Sequence, residues 1–262
     1  MRGEVEFDRI APVYDETRQP PSDGQLNALE ELLAGCRTVL DAGVGTGRFA
    51  VPLRARGFEV VGVDLSLAMM RRARSKGIAR LIQGDVRRLP FSHGSVDAAF
   101  MSHVLQLLPD PRAVLAELGR VAREAVVVEL PEWAERERMA GWRGVRERYR
   151  EIAQELGYTL PERGPRYWHS LDELSAIATP KAVRSVAGPA PSASAAEERW
   201  SRWLSAGLGK PPIPPEVHAE ILGRLREERP VDPARWRRPR TARFVLWEPR
   251  ALEALLSAPF VP

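Results

Sequence analysis

Cysteine and long apolar runs are scarce in this chain. Cys36 is the only cysteine among 262 residues, so an intrachain disulfide is impossible and a cysteine-based metal site is disfavoured. No run of 18 apolar residues is present, which predicts no membrane span. The segment Met1–Arg9 is charged and has no apolar centre, unlike a signal peptide. These absences predict a cytoplasmic protein that holds no metal.

Lysine is scarce as well, because Lys76, Lys181 and Lys210 are the only lysines in a chain of net charge +4. The densest arginine run, residues 224–243, flanks Trp236 and would suit a nucleic-acid enzyme. Elsewhere, charges of opposite sign alternate along most helical segments, which is typical of solvated helix faces. A GC-rich genome then explains the arginine excess. Nucleic acid is disfavoured as a partner but stays open as an alternative.

Short β-rich runs alternate with helical segments between residues 37 and 130. Five strands are predicted there, at residues 37–42, 59–64, 80–84, 96–101 and 125–130, and two more at 182–186 and 241–247. This alternation is typical of a parallel sheet with crossover helices. The predicted fold class is α/β, a Rossmann-like, doubly wound, mostly parallel sheet with a helical cap insertion.

The pattern predicts three parts along the chain. Residues 1–130 are predicted to form the core with an N-terminal helix, and residues 241–262 to complete it with a final strand and a C-terminal helix. Residues 131–240 are predicted to form a helical cap and substrate region, interrupted by the strand near 182–186. Helical stripes of apolar residues support this cap, and the aromatic loop 163–169 is predicted to line a pocket.

A glycine-rich turn follows the first predicted strand. Glycines at 43, 45 and 47 permit a sharp turn from strand to helix and a close approach of backbone N–H groups to a ligand. A dinucleotide fingerprint fits from Gly45 only if Ala50 replaces its last glycine. Asp41, just before the glycines, favours a ligand with an ammonium group, which a dinucleotide does not have.

Four motifs, in this order and spacing, resemble the class I S-adenosylmethionine-dependent methyltransferases. They are Asp41–Gly47, Gly62–Ser66, Gln83–Val86 followed by Leu89–Phe91, and Asp97–Pro109. The segment Phe7–Asp15 also resembles the N-terminal helix of small-molecule members such as quinone methyltransferases. The resemblance covers residues 7 to about 130 and implies S-adenosyl-L-methionine as the cofactor.

The resemblance also implies roles for particular residues. Asp41 and the glycine loop would surround the methionine part of the cofactor, Asp64 would accept from both ribose hydroxyls, and Asp85 would accept from the adenine amino group. The cofactor-binding residues implied are Tyr14, Arg18, Asp41, Gly43, Val44, Gly45, Gly47, Asp64, Leu65, Met69, Asp85, Val86, Met101 and Ser102. Among these, Leu65 and Met69 would form an apolar wall for adenine.

Transfer of a methyl group from a sulfonium proceeds by in-line displacement and needs a base only when the acceptor must lose a proton. His103, after the fourth predicted strand, is the candidate catalytic base, with Tyr167 and His169 behind it. The expected activity is methyl transfer to a small-molecule acceptor. Two alternatives stay open: a nucleic-acid or protein methyltransferase that uses residues 224–243, and a cofactor-binding protein without turnover.

Overall fold

The computed structural model describes residues 7–8, 10–17, 20–131, 144–145, 147–160, 167, 169–188, 213–228 and 241–257. The chain divides into two compact units. The sheet unit comprises residues 20–131, 165–188 and 241–262, and the helical unit comprises residues 1–19, 132–164 and 189–240.

The sheet unit contains seven strands. They are β1 Thr38–Ala42, β2 Glu59–Asp64, β3 Arg80–Gln83, β4 Val96–Ser102, β5 Ala122–Pro131, β6 Ala182–Ala187 and β7 Thr241–Trp247. Their order across the sheet is β3-β2-β1-β4-β5-β7-β6. Neighbours from β3 to β5 pair in parallel, whereas β7 runs antiparallel between β5 and β6. The predicted doubly wound, mostly parallel sheet is confirmed.

Helices cover both faces of this sheet. They are α1 Asp23–Leu32, α2 Ala50–Ala55, α3 Leu67–Ser75, α4 Pro111–Val121, α5 Leu171–Ile177 and α6 Pro249–Ser257. Apolar residues of α1, α2 and α3 pack into one core cluster with one face of β1, β4 and β5, whereas those of α4, α5 and α6 pack into a second cluster. The central strands β1, β4 and β5 are therefore buried on both faces, which explains their almost continuous apolar runs.

Local signals in the sequence account for several helix boundaries. The Ser66 hydroxyl accepts a hydrogen bond from the Met69 N–H and begins α3, and Gly77 follows that helix with a φ of +94°. Pro111 is the first residue of α4, where its missing N–H costs no helical hydrogen bond. Asp110 caps the same helix by accepting from the N–H groups of Arg112 and Ala113.

The helical unit is described in shorter pieces. Residues 147–155 are helical, and their apolar side chains pack with those of the helix Pro215–Glu228 around buried Tyr149, Ile152 and Ile221. The Tyr149 hydroxyl lies 2.5 Å from Nδ1 of His218. Residues 189–212 of the predicted cap lie outside the described residues. The predicted placement of this region as a cap over the sheet edge stays a prediction.

Candidate functional site

The carboxyl ends of β1, β2, β4 and β5 carry a concentration of polar side chains. After β1 the chain continues to β2 and β3 on one side, while β4 leads to β5 on the other. The boundary between β1 and β4 is therefore a topological switch point, and ligands of open α/β sheets bind in the crevice at such points. Asp41, Asp64, Ser102 and Glu129 all lie at this edge.

The glycine loop after β1 is shaped by three residues with positive φ: Gly43 at +85°, Gly45 at +53° and Gly47 at +84°. The Gly43 N–H donates to the Val63 carbonyl at 2.7 Å and ties the loop to β2. A Cβ atom at Gly43 would lie 2.2 Å from Val104 Cγ2, so this position has no room for a side chain. A Cβ at Gly45 would instead meet nothing within 4 Å. The loop therefore presents open space on the side of Gly45, as a cofactor cradle requires.

Asp41 is buried at the end of β1, with 3% of its surface exposed. The pKa of its carboxyl group is raised to about 7, chiefly by burial and next by the neighbouring Asp64 carboxylate. The Ala50 N–H and the Arg48 guanidinium oppose this shift, whereas Glu129 adds to it. An excess of carboxylates thus surrounds Asp41, and a bound cation at this position would relieve their mutual repulsion.

Asp64 at the end of β2 is held by the backbone of two loops. Its Oδ2 accepts from the Gly45 N–H and its Oδ1 from the Ser66 N–H, both at 2.8 Å. Each carboxylate oxygen can accept more than one hydrogen bond, so these contacts orient the group and leave room for donors from a ligand. The predicted bidentate contact with two adjacent hydroxyls is compatible with this orientation.

Asp85 follows β3 and forms an ion pair with Arg87. Arg87 Nε donates to both carboxylate oxygens, at 3.0 and 2.9 Å, and this pairing lowers the pKa of Asp85. The Val86 side chain is buried in the core, and its contact with the cofactor stays a prediction. Leu65 is 39% exposed, whereas Met69 is buried at 1%. An exposed Leu65 beside buried Met69 suits the predicted adenine wall, which stays a prediction.

The end of β4 brings Met101, Ser102 and His103 to the same edge. Met101 is fully buried, and the Ser102 hydroxyl donates to the Glu129 carboxylate. His103 has a φ of +56° and, among the described residues, is the one residue other than glycine with a positive φ. Histidine is one of the residue types enriched in the left-handed region of backbone conformation. Residues held in such strained conformations cluster at functional sites.

Glu129 on β5 is a site residue that the sequence analysis missed. It is 4% exposed, and its Oε2 lies 3.4 Å from Arg48 Nη1 and 3.8 Å from His103 Nε2. Its Oε1 accepts from Gln25 Nε2 at 3.3 Å. The sequence did carry a signal: a single acid in the otherwise apolar run from Ala125 to Leu130 is expected to be buried and to need partners.

The described part of the aromatic loop lies against the segment after β4. The Tyr167 N–H donates to the Gln106 carbonyl at 2.8 Å, and His169 Nε2 lies 2.9 Å from the Leu108 carbonyl oxygen. Gln106 in turn places its Nε2 at 3.4 Å from His103 Nδ1. The structure therefore links Tyr167 to His103 through one residue, whereas residues 163–166 and Trp168 lie outside the described residues.

The remaining predicted site residues lie in the N-terminal segment. Tyr14 begins the short helix Tyr14–Thr17 of the helical unit, and its ring meets Phe7 edge to face at 6.5 Å. Arg18 lies outside the described residues. The cofactor contacts of both residues stay predictions.

Two kinds of feature are absent from the described part of the chain. No group of three or more His, Cys, Asp or Glu side chains there could hold a metal ion. None of its helices has the length and apolar character needed to cross a bilayer.

A methyltransferase domain family matches residues 40–128, the stretch that holds the glycine loop, Asp64, Asp85 and the end of β4. The motifs and the strand order agree with this match. Residues 40–128 are therefore similar to a methyltransferase domain, in agreement with the resemblance found in the sequence.

The relatives of this domain in sequence are methyltransferases of small metabolites and of a carrier-bound acid. Over 124 residues the chain is 35% identical to a demethylmenaquinone methyltransferase of Renibacterium salmoninarum, covering 45% of this chain and 52% of that protein. Over 139 residues it is 36% identical to a malonyl-[acyl-carrier protein] O-methyltransferase of Laribacter hongkongensis, covering 47% of each. The chain thus spans about half the length of the curated relatives it matches.

Solved structures with the same fold extend over more of the chain. An S-adenosylmethionine-dependent methyltransferase from Thermotoga maritima aligns with a TM-score of 0.52 at 24% identity, covering 72% of this chain and 86% of that one. A phosphoethanolamine N-methyltransferase from Haemonchus contortus aligns with a TM-score of 0.55 at 15% identity, covering 94% and 57%. At these identities the likeness establishes the fold alone.

Proposed function

We propose that this protein is an S-adenosylmethionine-dependent methyltransferase that acts on a small-molecule acceptor. The observation that carries the proposal is the site itself: an open glycine loop and buried, mutually repelling carboxylates at the switch point of a methyltransferase domain. A dinucleotide, whose phosphates are anionic, would meet repulsion from Asp41, Asp64 and Glu129. A ligand with ammonium and sulfonium groups would be attracted.

The residues present fit S-adenosylmethionine. Asp41 and the loop from Gly43 to Gly47 would hold its methionine part, with Met101 and Ser102 nearby, and Asp64 would accept from its ribose. Asp85, Val86, Leu65 and Met69 would surround the adenine, and we keep Tyr14 and Arg18 as further contacts. When bound, the cofactor supplies a methyl group attached to a positively charged sulfur. Once the methyl group is transferred, this sulfur becomes the neutral thioether of the product.

The chain's own contribution is positioning more than acid–base chemistry. The sulfonium is already activated, so orientation of the acceptor and exclusion of water supply much of the acceleration. We assign His103 as the base for acceptors that carry a proton, because its imidazole is 31% exposed at the same edge as Asp41 and Ser102. Tyr167, linked to it through Gln106, is the adjacent candidate for contact with the acceptor.

The assignment of a small acceptor is supported by the relatives, which methylate a quinone precursor and a malonyl group. The macromolecular alternative depended on residues 224–243. Of these, Arg224 is paired with Glu220 and Glu155 in the structure, so its charge is already partly neutralised. A cytoplasmic location, favoured by the single cysteine, completes the proposal.

Calorimetry and a transfer assay test this function. We expect S-adenosylmethionine and S-adenosylhomocysteine to compete for one site and NADH not to bind. Radiolabelled cofactor incubated with a metabolite extract should label a product of low molecular mass. Binding of NADH in place of both methionine derivatives would contradict the cofactor assignment. Label that appears only in RNA, or in a protein other than an acyl-carrier protein, would contradict the small acceptor. Tight cofactor binding with no turnover on any pool would indicate a binding protein.

A further inference from the structure

The Glu129 carboxylate contacts four side chains of the candidate site. Its carboxylate meets Gln25 from α1, Arg48 beside the glycine loop, and both Ser102 and His103 at the end of β4. These partners come from separate parts of the sheet unit. A buried carboxylate with such partners holds the surrounding elements in one arrangement.

The partners are themselves constrained. Gln25 belongs to the capping box of α1, because its Oε1 accepts from the Ser22 N–H while the Ser22 hydroxyl accepts from the Gln25 N–H. The Arg48 guanidinium lies 4.7 Å from the centre of the Phe49 ring. Ser102 pairs directly with Glu129 in the parallel register of β4 and β5. The position of the Glu129 carboxylate is therefore determined by the fold before any ligand binds.

We propose that Glu129 is a positioning residue that acts through His103, a role that rests on the proposed methyl-transfer function. His103 faces the Glu129 carboxylate with Nε2 and Gln106 with Nδ1. Ser102 and Arg48 contact the same carboxylate oxygen. The negative charge of Glu129 stabilises the protonated imidazole and makes His103 a stronger base. When an acceptor loses its proton on methylation, Nδ1 of His103 takes the proton in place of its contact with Gln106, while Nε2–H faces Glu129, which stabilises the resulting charge.

The direct test is an NMR titration of the His103 imidazole in the cofactor-free protein, with its resonance assigned by loss in His103→Gln. In Glu129→Gln the hydrogen bonds of Ser102 and Gln25 keep an amide partner while the charge is lost. We expect the titration midpoint of His103 to fall by about 1 pH unit. Glu253→Gln is the matched control, because Glu253 pairs with exposed His93 elsewhere in the sheet unit. It should leave the midpoint of His103 unchanged.

The activity arm distinguishes positioning from a structural role. In Glu129→Gln, kcat at the alkaline plateau should fall about tenfold. The acid limb of the pH–rate profile should shift to lower pH, by the same amount as the titration midpoint of His103. A His103 midpoint identical in the parent and in Glu129→Gln overturns the proposal, as does an unshifted pH profile accompanied only by lower stability.

Two further outcomes are informative. If Glu129→Gln does not fold, Glu129→Asp decides, because withdrawing the carboxylate by one methylene should lower the midpoint partially, and an unchanged midpoint overturns the proposal. If the parent transfers no methyl group to any acceptor, the proposed function fails. The titration then still decides whether Glu129 controls the charge of His103.

Discussion

Aspartates stand in opposite electrostatic environments at the two ends of β1 and β4. At the amino end, Asp97 of β4 accepts from the N–H groups of Arg37 and Thr38, at 2.9 and 2.8 Å, and pairs with Arg123. These hydrogen bonds hold the pKa of Asp97 far below its usual range. At the carboxyl end, burial and Asp64 raise the pKa of Asp41 to about 7.

The difference separates a structural carboxylate from one kept for a ligand. Asp97 has its partners within the fold, so its charge stabilises the folded state. Asp41 has carboxylate neighbours that repel it, so its ionised form destabilises the folded state until a cation binds. Such strongly perturbed groups in a crevice are the pattern expected of a functional site. The predictions below test this contrast.

The largest effect is expected at the amino end. Asp97→Ala removes a carboxylate that bonds two backbone N–H groups, the Thr38 hydroxyl and Arg123. We expect a loss of about 2–3 kcal/mol in the free energy of unfolding, measured by urea denaturation, because several donors lose a charged acceptor at once. Because the pKa of Asp97 is depressed in the folded state, this contribution is present at neutral pH and is lost as the pH falls below about 4.

Glu59 is the control for that variant. It pairs with Arg37 and Arg80 at the surface, so Glu59→Ala should leave stability nearly unchanged. Equal losses in the two variants would contradict the view that backbone hydrogen bonds make Asp97 structural. Asp97→Ala should also retain cofactor affinity once folded.

The next effect concerns Asp64 and cofactor affinity. Asp64→Ala should weaken binding of S-adenosylmethionine by about 1.5–3 kcal/mol in calorimetry, the usual worth of hydrogen bonds to a charged group. Asp64→Asn should weaken binding less, because it keeps one oxygen acceptor. Asp110→Ala is the matched control, since Asp110 also accepts from two backbone N–H groups but lies at the start of α4. Parent-like affinity in both Asp64 variants would contradict the proposed ribose contact.

Most of the fold could be predicted from the sequence, because the pattern of apolar residues marks the strands and helices. The bounds of β2 and β7 agree with the predicted residues 59–64 and 241–247, because apolar runs between glycine and charged residues mark buried strands. The antiparallel direction of β7 was not predicted, since strand direction depends on the connection that precedes it and not on the strand's composition. The extension of β5 back to Ala122 was also missed, because α4 and β5 join with no breaking residue between them.

The sequence predicted candidate site residues only in the loops and at the strand ends that the motifs mark. The glycine loop and the acids after β1, β2 and β3 occupy positions that the motifs mark. Glu129 and Gln25 were missed because their importance comes from contacts between residues 104 positions apart in sequence. The pairing of Asp85 with Arg87 was likewise invisible, because the sequence places them two residues apart without indicating that their side chains meet.

A smaller effect is a gain in stability at the carboxyl end. The pKa of Asp41 is raised in the folded state from 3.8 to about 7, so the folded protein keeps a proton that the unfolded chain has lost between these values. Stability contributed by Asp41 therefore decreases as the pH rises from about 4 to about 7. Asp41→Asn removes this loss and should raise the unfolding free energy of the cofactor-free protein by about 1–2 kcal/mol at pH ~8.

Replacing Asp97 with asparagine should change the free energy of unfolding in the opposite direction. Asp97→Asn should lower stability at the pH at which Asp41→Asn raises it. The gain in Asp41→Asn should vanish near pH ~4, where both the folded and the unfolded chain hold the proton. Asp41→Asn should bind S-adenosylmethionine more weakly than the parent despite its higher stability. A destabilised Asp41→Asn at every pH would contradict the proposed repulsion at this end.

The smallest effect is the release of a proton on cofactor binding. With a pKa of about 7, Asp41 is half protonated near pH 7, and a bound cation should keep it ionised. We therefore expect release of about half a proton per cofactor at pH 7, measured by calorimetry in buffers of different ionisation enthalpy. As the pH increases towards 7, the affinity for S-adenosylmethionine should rise by up to about tenfold per pH unit. Above pH ~7 the affinity should level off. Release should persist in His103→Gln and disappear in Asp41→Asn. The reverse result would place the titrating group at the base and not at the carboxylate, and the two ends of the sheet would then differ only in stability.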